Sequence, residues 1–278
     1  MPSKPLRIAS VNVNGIRAAY RKGMGDWLEA RDVDILAIQE VRAQTEDVEG
    51  LLGPDWNILH DAATAKGRAG VALASRDRAS IHRVSFGADD FDSAGRWLEA
   101  DYEWGDKIVT VVSTYVHSGE DGTPKQVEKY KFLDAMIERL PALQAHNPLS
   151  VVMGDLNVGH RKLDIKNWRG NQKKAGFLPQ ERAYFDRFVG AEEDPGYNTG
   201  AGFGWVDLGR RFAGEVEGPY TWWSQRGRAF DTDTGWRIDY QLAAPDLAAA
   251  ATSYTVDRAE THDTRWSDHA PVVVDYDL

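Results

Sequence analysis

Cysteine is absent from the sequence, which excludes disulfide bonds, thiolate nucleophiles and metal sites with cysteine ligands. Long apolar runs are absent too, since no segment approaches the ~20 residues that a membrane-spanning helix needs. The amino terminus, MPSKPLRIAS, lacks the apolar core of a signal peptide. We therefore expect a protein without membrane association that is located in the cytoplasm.

An excess of positive charge is also lacking, because the 278 residues carry a formal net charge of −10. This balance argues against a general nucleic-acid coat protein. The segment 161–187 departs from it, with eight basic and three acidic residues. Two interpretations of this segment stay open: a solvated helix face, or a local binding surface for a polyanion.

Short apolar segments alternate with helical patterns along the whole chain. Helical spacing of apolar residues predicts helices at 24–31, 124–143 and 179–189, and the Gly- and Asn-containing stretch 194–204 predicts a loop. The pattern indicates one α/β or α+β domain over residues 1–278, with two sheets packed face to face and helices outside. Strands are predicted at 6–13, 33–40, 69–75, 96–104, 107–116, 149–155, 236–244 and 271–277.

Polar side chains recur at the ends of these predicted strands, where a sheet would present them along one edge. Asp239 is placed differently, inside the apolar strand WRIDYQL, where an unpaired carboxylate would be costly. The set comprises Asn12, Asn14, Glu40, Tyr115, Asp155, Asn157, Asp239, Asp268 and His269.

Purely structural roles remain open for most members of this set when each is considered alone. A strand-end carboxylate or amide often caps a turn or a helix. The alternatives are a turn at Asn12, a surface pair of Glu40 with Arg42, a helix cap at Asp155 before Leu156, a core position for Tyr115 and a turn at Asp268.

Considered together, oxygen and imidazole groups are the ligand inventory of a hard divalent cation. Mg²⁺ binds few carboxylates and keeps several waters, which leaves room for a phosphate oxygen. A histidine next to a carboxylate stays cationic more easily near an anion. Phosphodiester hydrolysis needs a metal, a base that orients water and a cation for the developing charge. The set therefore favours that chemistry.

The segments VNVNGIR, LAIQE, TYV, MGDLNV, GWRIDYQL and SDHAPV, in this order, resemble the exonuclease III family of abasic-site endonucleases. That family belongs to the endonuclease/exonuclease/phosphatase superfamily. LDI at 163–165 and FLPQER at 177–182 are shared more narrowly with its DNA-repair branch. The resemblance covers residues 6–277 and implies a four-layer α/β sandwich with Mg²⁺ or Mn²⁺ at one end of two mixed sheets.

The resemblance also implies the substrate and the reaction. The substrate would be double-stranded DNA with abasic or 3′-blocked sites. Water would attack the phosphorus 5′ to the abasic site and expel the deoxyribose 3′-oxygen. The same site would supply 3′–5′ exonuclease and 3′-phosphodiesterase or phosphatase activity. Two alternatives stay open: a phosphatase or phosphodiesterase for non-DNA phosphoesters, and a catalytically weak DNA-binding protein. We expect a monomer.

The implied metal ligands are Glu40, as the principal one, with Asn12 and Asp268 nearby. Two departures from the family pattern affect the site. Some members have Asp at the position of Asn14, and His117 and Ser118 stand where relatives often have Pro followed by Asn or Gln.

The resemblance also implies a separate role for each catalytic residue. Asp155 would orient or deprotonate the attacking water, and Asn157 would hold the phosphate or the transition state. His269, oriented by Asp239, would contact a phosphate oxygen. Tyr115 would lie close to the phosphate, and its reference pKa of about 10 favours the protonated form.

Substrate binding is implied for aromatic and basic residues of two segments, 161–187 and 220–240. The alternative for the tryptophans is packing in the core. Trp222 and Trp236 would flank a pocket for a flipped-out abasic sugar, with Phe230 lining it. Arg226 and Arg228 would reach the duplex, and Lys173 and Lys174 would belong to the backbone-binding surface.

Overall fold

A computed structural model describes residues 4–65, 67–84, 91, 94–189 and 202–278. Of the predicted loop 194–204, residues 194–201 lie outside these ranges. The first sheet contains, in spatial order, β11 (Ala251–Val256), β12 (Val272–Tyr276), β1 (Leu6–Asn12), β2 (Ile35–Gln39), β4 (Val71–Ser75) and β3 (Asn57–Asp61). The second contains β5 (Ile81–Arg83), β6 (Trp97–Trp104), β7 (Lys107–Tyr115), β8 (Ser150–Asp155), β10 (Asp239–Ala243) and β9 (Val206–Asp207).

Helices cover the outer faces of both sheets, which confirms the predicted α/β sandwich. The first sheet packs on the early helices through residues such as Met24 and Val48, and the second packs on the central ones through Phe132 and Phe185. The α-helices are α1 (Ile16–Arg21), α2 (Met24–Arg31), α3 (Thr45–Leu52), α4 (Pro124–His146), α5 (Pro179–Val189), α6 (Leu208–Ala213) and α7 (Pro245–Ala250). No helix among the described residues is long and apolar enough to cross a membrane.

Two buried glutamines cross the largely apolar interface between the sheets. Gln39 of β2 donates Nε2 to Ser113 Oγ of β7 at 3.1 Å. Gln241 of β10 donates Nε2 to the Ile8 carbonyl of β1 at 3.1 Å. Because buried polar groups need partners, these contacts favour one position of the first sheet relative to the second.

The predicted strands are confirmed with ends that differ by up to three residues. One difference matters for the site. The strand predicted at 236–244 begins only at Asp239, because Trp236 instead exchanges backbone hydrogen bonds with Trp222. The placement of Asp239 inside an apolar strand was therefore wrong, since it lies at the start of β10. The helix cap suggested for Asp155 is also wrong, since β8 is followed by irregular chain.

Several elements were not predicted because they are short or half-exposed. Strand β5 has three residues, and β11 contains only exposed and half-buried positions. Such segments lack the apolar periodicity on which the prediction depends. The missed elements are α1, α3, α6, α7, β3, β5, β9 and β11.

Strand pairing brings the polar strand ends to one edge of the second sheet. Tyr115 lies opposite Asp155 in the parallel β7–β8 pair, and Asp155 lies opposite Asp239 in the antiparallel β8–β10 pair. The carboxyl ends of β7 and β8 therefore meet the amino end of β10. Asn12, at the carboxyl end of β1, faces them from the first sheet and donates Nδ2 to Asp155 Oδ2 at 2.9 Å.

The LDI segment is anchored by a buried ion cluster behind this edge. Asp164 accepts from Arg237 Nε at 2.8 Å and pairs with Arg210, and Arg237 also pairs with Asp207 at 2.6 Å. Burial opposes the charge of Asp164, but the two arginines lower its pKa well below the usual range. The cluster ties the irregular chain after β8 to β10 and α6.

Gly154, next to Asp155 in β8, is required by both its backbone angle and its surroundings. Its φ is 141°, and a Cβ there would clash with the carbonyl of Thr114 in β7. A glycine is therefore the residue that lets β7 and β8 approach immediately before Asp155.

Gly154→Ala is expected to lower the free energy of unfolding by at least about 2 kcal/mol, from backbone strain and overpacking. Gly50→Ala is the matched control, because this position in α3 has no heavy atom within 4 Å of an added Cβ. The control should raise stability by about 0.5–1 kcal/mol. Urea unfolding of both variants measures the difference, and equal stabilities would contradict the packing argument.

Candidate active site

Asn12 is the fully buried centre of the polar cluster. Its Nδ2 donates to Glu40 Oε1 at 3.0 Å and to Asp155 Oδ2 at 2.9 Å. Its Oδ1 accepts from the backbone N–H of Asn14 at 2.9 Å. Each polar atom of the side chain therefore has a partner. The amide holds two carboxylates from different sheets: Glu40, directly after β2, and Asp155, the last residue of β8.

Three site residues adopt left-handed backbone conformations where the chain leaves a strand. Asn14 has a φ of 48°, Glu40 of 50° and Asn157 of 52°. This conformation is uncommon outside glycine and costs free energy. It turns the chain sharply after β1, β2 and β8, so that the side chains face one cavity.

His269 is held by Asp239 on the β10 side of the cluster. Its Nδ1 lies 2.9 Å from Asp239 Oδ2, and its Nε2 lies 3.8 Å from Asp155 Oδ2. Burial disfavours the imidazolium, but the carboxylates of Asp239 and Asp155 outweigh it and raise the pKa of His269 to about 10. The ring is therefore a buried cation that is oriented by Asp239.

Asp155 is buried and surrounded by donors that leave it directed toward the cavity. Its Oδ1 accepts from the Asn157 backbone N–H at 2.9 Å, and its Oδ2 accepts from Asn157 Nδ2 at 3.1 Å. Burial raises the pKa of Asp155 to about 7, with His269 opposing and Asp239 and Glu40 reinforcing the shift. Such a carboxyl group exchanges protons near neutral pH.

Tyr115 borders the same carboxylates at the end of β7. Burial, together with the charges of Glu40 and Asp155, raises the pKa of its hydroxyl far above the usual value. The tyrosine is therefore protonated and acts as a hydrogen-bond donor. Arg96 lies 4.6 Å from the centre of its ring and donates Nη1 to its backbone carbonyl at 3.0 Å.

The donor chemistry of the cavity fits a hard divalent cation. Glu40, Asp155 and Asp268 line it with carboxylate oxygens, and buried charges are normally paired or bound to metal. Arg42 already pairs with Glu40, as one structural alternative proposed. Among the described residues, Asp155, Asp239 and His269 form a cluster with ligand atoms within 4.8 Å of one another. Because the His269 ring is cationic, the carboxylates are the suitable ligands.

Two tryptophans form the aromatic rim of this cavity, which has a volume of about 420 Å³. Trp222 and Trp236 pack edge to face with ring centres 6.0 Å apart. Trp222 Nε1 donates to Asp268 Oδ2 at 3.2 Å, and Asn14 Nδ2 donates to Asp268 Oδ1 at 2.9 Å. The rim is therefore connected to the acidic cluster through Asp268.

The structure brings most predicted catalytic and metal-binding residues to this cavity. Asn12 and Asp239 do not line it but hold residues that do. Its lining includes Glu40, Tyr115, Asp155, Asn157, Asp268, His269, Trp222 and Trp236.

The predicted position of Phe230 was wrong. Phe230 is buried with Tyr220, Trp223 and Ala270 in a small separate core and is absent from the cavity lining. A single aromatic in a loop segment gives no signal that distinguishes a core position from a pocket wall. Arg228 is largely exposed and pairs with Asp231.

The basic segment 161–187 is only partly available to a polyanion. Arg161 and Lys166 pair with Glu215 and Glu217. Lys173 and Lys174 are exposed and directly precede Ala175 and Gly176, which line the cavity. The surface available to a polyanion is therefore smaller than the eight basic residues of this segment suggested.

The sequence analysis missed Arg96 and left the roles of His117 and Ser118 undecided. Arg96 directly precedes β6, but a lone arginine near a strand carries no motif. Ser118 lines the cavity. His117 packs on Phe132 instead, and burial lowers its pKa to about 3.

Comparison with known proteins supports a nuclease assignment. A sequence model of the Endonuclease/Exonuclease/phosphatase family matches residues 9–269. An exodeoxyribonuclease of Bacillus subtilis strain 168 is 31% identical over 268 residues, covering 96% of this chain and 98% of that protein.

Two solved structures share the fold over nearly the whole chain. The 3′-5′ exonuclease NExo from Neisseria meningitidis has a TM-score of 0.82 and 25% identity, covering 98% of this chain and 100% of that one. An AP endonuclease from Archaeoglobus fulgidus has a TM-score of 0.79 and 25% identity, with the same coverage.

The ring of His269 is expected to titrate near pH 10 in metal-free protein and to be cationic at pH 7.5. Asp239→Asn should lower that pKa by about 1–3 units, because an adjacent anion is removed. The raised pKa contributes stability that is present below the unfolded pKa of about 6.5. That stability is lost as pH rises through about 10.

NMR titration of the histidine rings measures the shift, and the exposed Asp246→Asn variant in α7 serves as control. A His269 ring that is neutral at pH 7.5 in the wild type would contradict the ion pair. So would an unchanged His269 titration in Asp239→Asn.

Proposed function

The chain belongs to the Endonuclease/Exonuclease/phosphatase family and is a hydrolytic nuclease of the exodeoxyribonuclease III type, and we propose that it cleaves DNA 5′ to abasic sites with the help of Mg²⁺ or Mn²⁺. We also propose 3′–5′ exonuclease and 3′-phosphodiesterase or phosphatase activity. The observation that carries the proposal is the convergence of Glu40, Asp155 and the Asp239–His269 pair on one cavity with an aromatic rim.

Double-stranded DNA is the proposed substrate because the relatives named above act on DNA and because the cavity surroundings suit it. Lys173 and Lys174 are exposed and directly precede Ala175 and Gly176 of the cavity wall. Cations at such positions can contact phosphates on either side of the cleaved bond. Clustering of these groups offsets the repulsion expected from the net charge of −10.

Asp155 would take the proton of the attacking water. Its pKa near 7 suits a general base at neutral pH. The donors from Asn12 and Asn157 hold both carboxylate oxygens in place, so the base is oriented before substrate binds. Burial of the group excludes bulk water that would compete for its lone pairs.

The developing negative charge on the phosphate would be met by two donors. His269 offers a buried imidazolium held by Asp239. Tyr115 offers a protonated hydroxyl because its pKa is raised. Asn157 would act beside them by holding the base, because its Nδ2 donates both hydrogens within the site, to Asp155 Oδ2 at 3.1 Å and to the Val116 carbonyl at 2.9 Å. Preorganised donors of this kind stabilise a transition state more than the ground state.

Glu40, with Asn12 and Asp268 nearby, would hold the divalent cation, which neutralises phosphate charge and polarises the phosphorus–oxygen bonds. The rim of Trp222 and Trp236 would accept a sugar that lacks its base. Extruding an abasic nucleotide is less costly than extruding a normal one, because no base pair or stack is lost.

A 5′-labelled duplex with one synthetic abasic site is expected to give a single band cleaved 5′ to that site, in Mg²⁺ but not in EDTA. Asp155→Asn should reduce the rate by about 10²–10⁴-fold, the usual contribution of a general base. Glu40→Ala should raise the Mg²⁺ concentration needed for half-maximal rate. The control Asp106→Asn, at an exposed turn between β6 and β7, should behave as wild type.

The ladder below the main band reports 3′–5′ exonuclease activity, and phosphate release from a 3′-phosphorylated duplex reports the phosphatase activity. Absence of cleavage by folded wild type in either metal would overturn the abasic-site proposal. Hydrolysis of small or lipid phosphoesters instead would favour the alternative substrate class.

Trp222→Ala is expected to raise the KM for the abasic duplex by about 10-fold or more, since truncation of a tryptophan at a binding site often costs about 2 kcal/mol or more. Trp222→Phe keeps a ring but removes the donor to Asp268, so it separates the two roles of this side chain. Steady-state kinetics on the abasic duplex measure both variants. If Trp222→Phe is as impaired as Trp222→Ala, the hydrogen bond rather than the ring supports binding.

A further inference from the structure

Lys129 of α4 is a fully buried lysine that lies behind the cavity wall. Lysine is rarely buried unless its charge is paired. Its Nζ lies 2.7 Å from Glu181 Oε1, and Glu181 in α5 is buried as well. The lysine does not line the cavity, and none of the roles described above uses it.

The ammonium group has three donors, and the structure provides a partner for each. Besides Glu181, Nζ donates to the Asn157 carbonyl at 2.8 Å and to the Ser118 carbonyl at 3.2 Å. A charged donor makes stronger hydrogen bonds than a neutral one. Lys129 therefore connects one helix to two irregular segments at the same time.

Those two segments form one side of the cavity. Ser118 follows β7 and Asn157 follows β8, and both residues line the cavity. Asn157 is also the residue whose backbone N–H and Nδ2 hold Asp155. With a φ of 52°, it occupies a backbone conformation that needs support from its surroundings.

Packing around the lysine leaves little conformational freedom for the segment after β7, which contains Ser118 and Gly119. A Cβ on Gly119 would lie 2.9 Å from Lys129 Cδ and would also clash with Gln126. Glu181 accepts from Gln126 Nε2 at 2.9 Å and from the Leu178 backbone N–H at 2.9 Å. Lys129, Gln126 and Glu181 thus form a buried network that contacts the segments after β7 and β8 and the start of α5.

We propose that Lys129 is a positioning residue for hydrolysis. Its ammonium group sets the backbone of Asn157 and Ser118, and through Asn157 it sets the orientation of Asp155. This inference rests on the proposed function, because it assigns Lys129 to the same site. Loss of the ammonium group should lower kcat, whereas KM should change little because the aromatic rim and the exposed cations are untouched.

A purely structural role would give a different result, and a paired variant separates the two. Lys129→Met alone leaves the Glu181 carboxylate buried without its cation, so it should unfold at a lower temperature. In Lys129→Met/Glu181→Gln the residual charge is removed, and the amide oxygen of the introduced glutamine can still accept from the Leu178 backbone N–H. This double variant should recover most of the thermal stability but not the donors to Asn157 and Ser118.

The experiment measures Tm and steady-state cleavage of the abasic duplex for wild type, both Lys129 variants and a control. The control is Lys131→Met/Glu128→Gln, which removes an exposed ion pair of the same helix. In the double variant we expect kcat to fall about 100-fold, as for a misplaced catalytic group. KM should stay within about threefold, since ground-state binding is retained. A kcat within about twofold of wild type at recovered Tm would overturn the proposal.

Amide hydrogen exchange without DNA gives a readout that does not depend on activity. Residues 116–119 and 156–160 should exchange faster in the double variant than in wild type or the control, while α2 should not change. Unchanged exchange in both segments would overturn the positioning role. If the double variant exchanges faster but the wild type does not cleave abasic DNA, the proposed function is refuted and the structural part of the inference stands alone.

Discussion

The site depends on one buried amide. Asn12 donates to Glu40 at the end of a first-sheet strand and to Asp155 at the end of a second-sheet strand. These two carboxylates would repel each other in a buried space, because the low effective dielectric strengthens interactions between charges. A neutral side chain with two N–H donors lets them share one cavity. The packing of sheet on sheet therefore determines how far apart the acidic groups lie.

Electrostatic compensation around the acidic cluster is distributed over several elements. Arg42 pairs with Glu40, and His269 pairs with Asp239. Arg96 lies beside Tyr115, and Lys129 approaches from behind the Asn157 segment. The compensation is incomplete on the cavity side, where Asp155 and Asp268 belong to the lining. A divalent cation with its waters would supply the missing charge.

Backbone geometry keeps these groups in place before any substrate arrives. Gly154 allows the close contact of β7 and β8 directly before Asp155. The left-handed conformations of Asn14, Glu40 and Asn157 turn the chain at strand ends. Rigid strands followed by short, hydrogen-bonded turns position side chains more accurately than long loops would. For the same reason, we expect the buried Lys129, which donates to the segments after β7 and β8, to affect catalysis.

The sequence by itself was sufficient to predict most of the residues that line the cavity. Amides and carboxylates at the ends of apolar strands gave the cavity lining at Glu40, Asp155 and Asp268, because strand periodicity predicts where each strand ends. The resemblance to the family added the four-layer arrangement of sheets and helices. The helices and strands that were missed, such as α1 and β11, lack that periodicity.

Only the tertiary structure decided which groups touch. Asn12 and Asp155 are 143 residues apart in sequence, and their hydrogen bond exists because two sheets pack in one register. The same holds for Arg96 beside Tyr115 and for Lys129 beneath Asn157, which no local pattern indicates. Phe230 was misplaced for this reason, since an aromatic side chain in an irregular segment packs wherever the surrounding chain leaves apolar space. Local patterns specify residue type and strand position, whereas pairing between distant charges depends on how the layers pack.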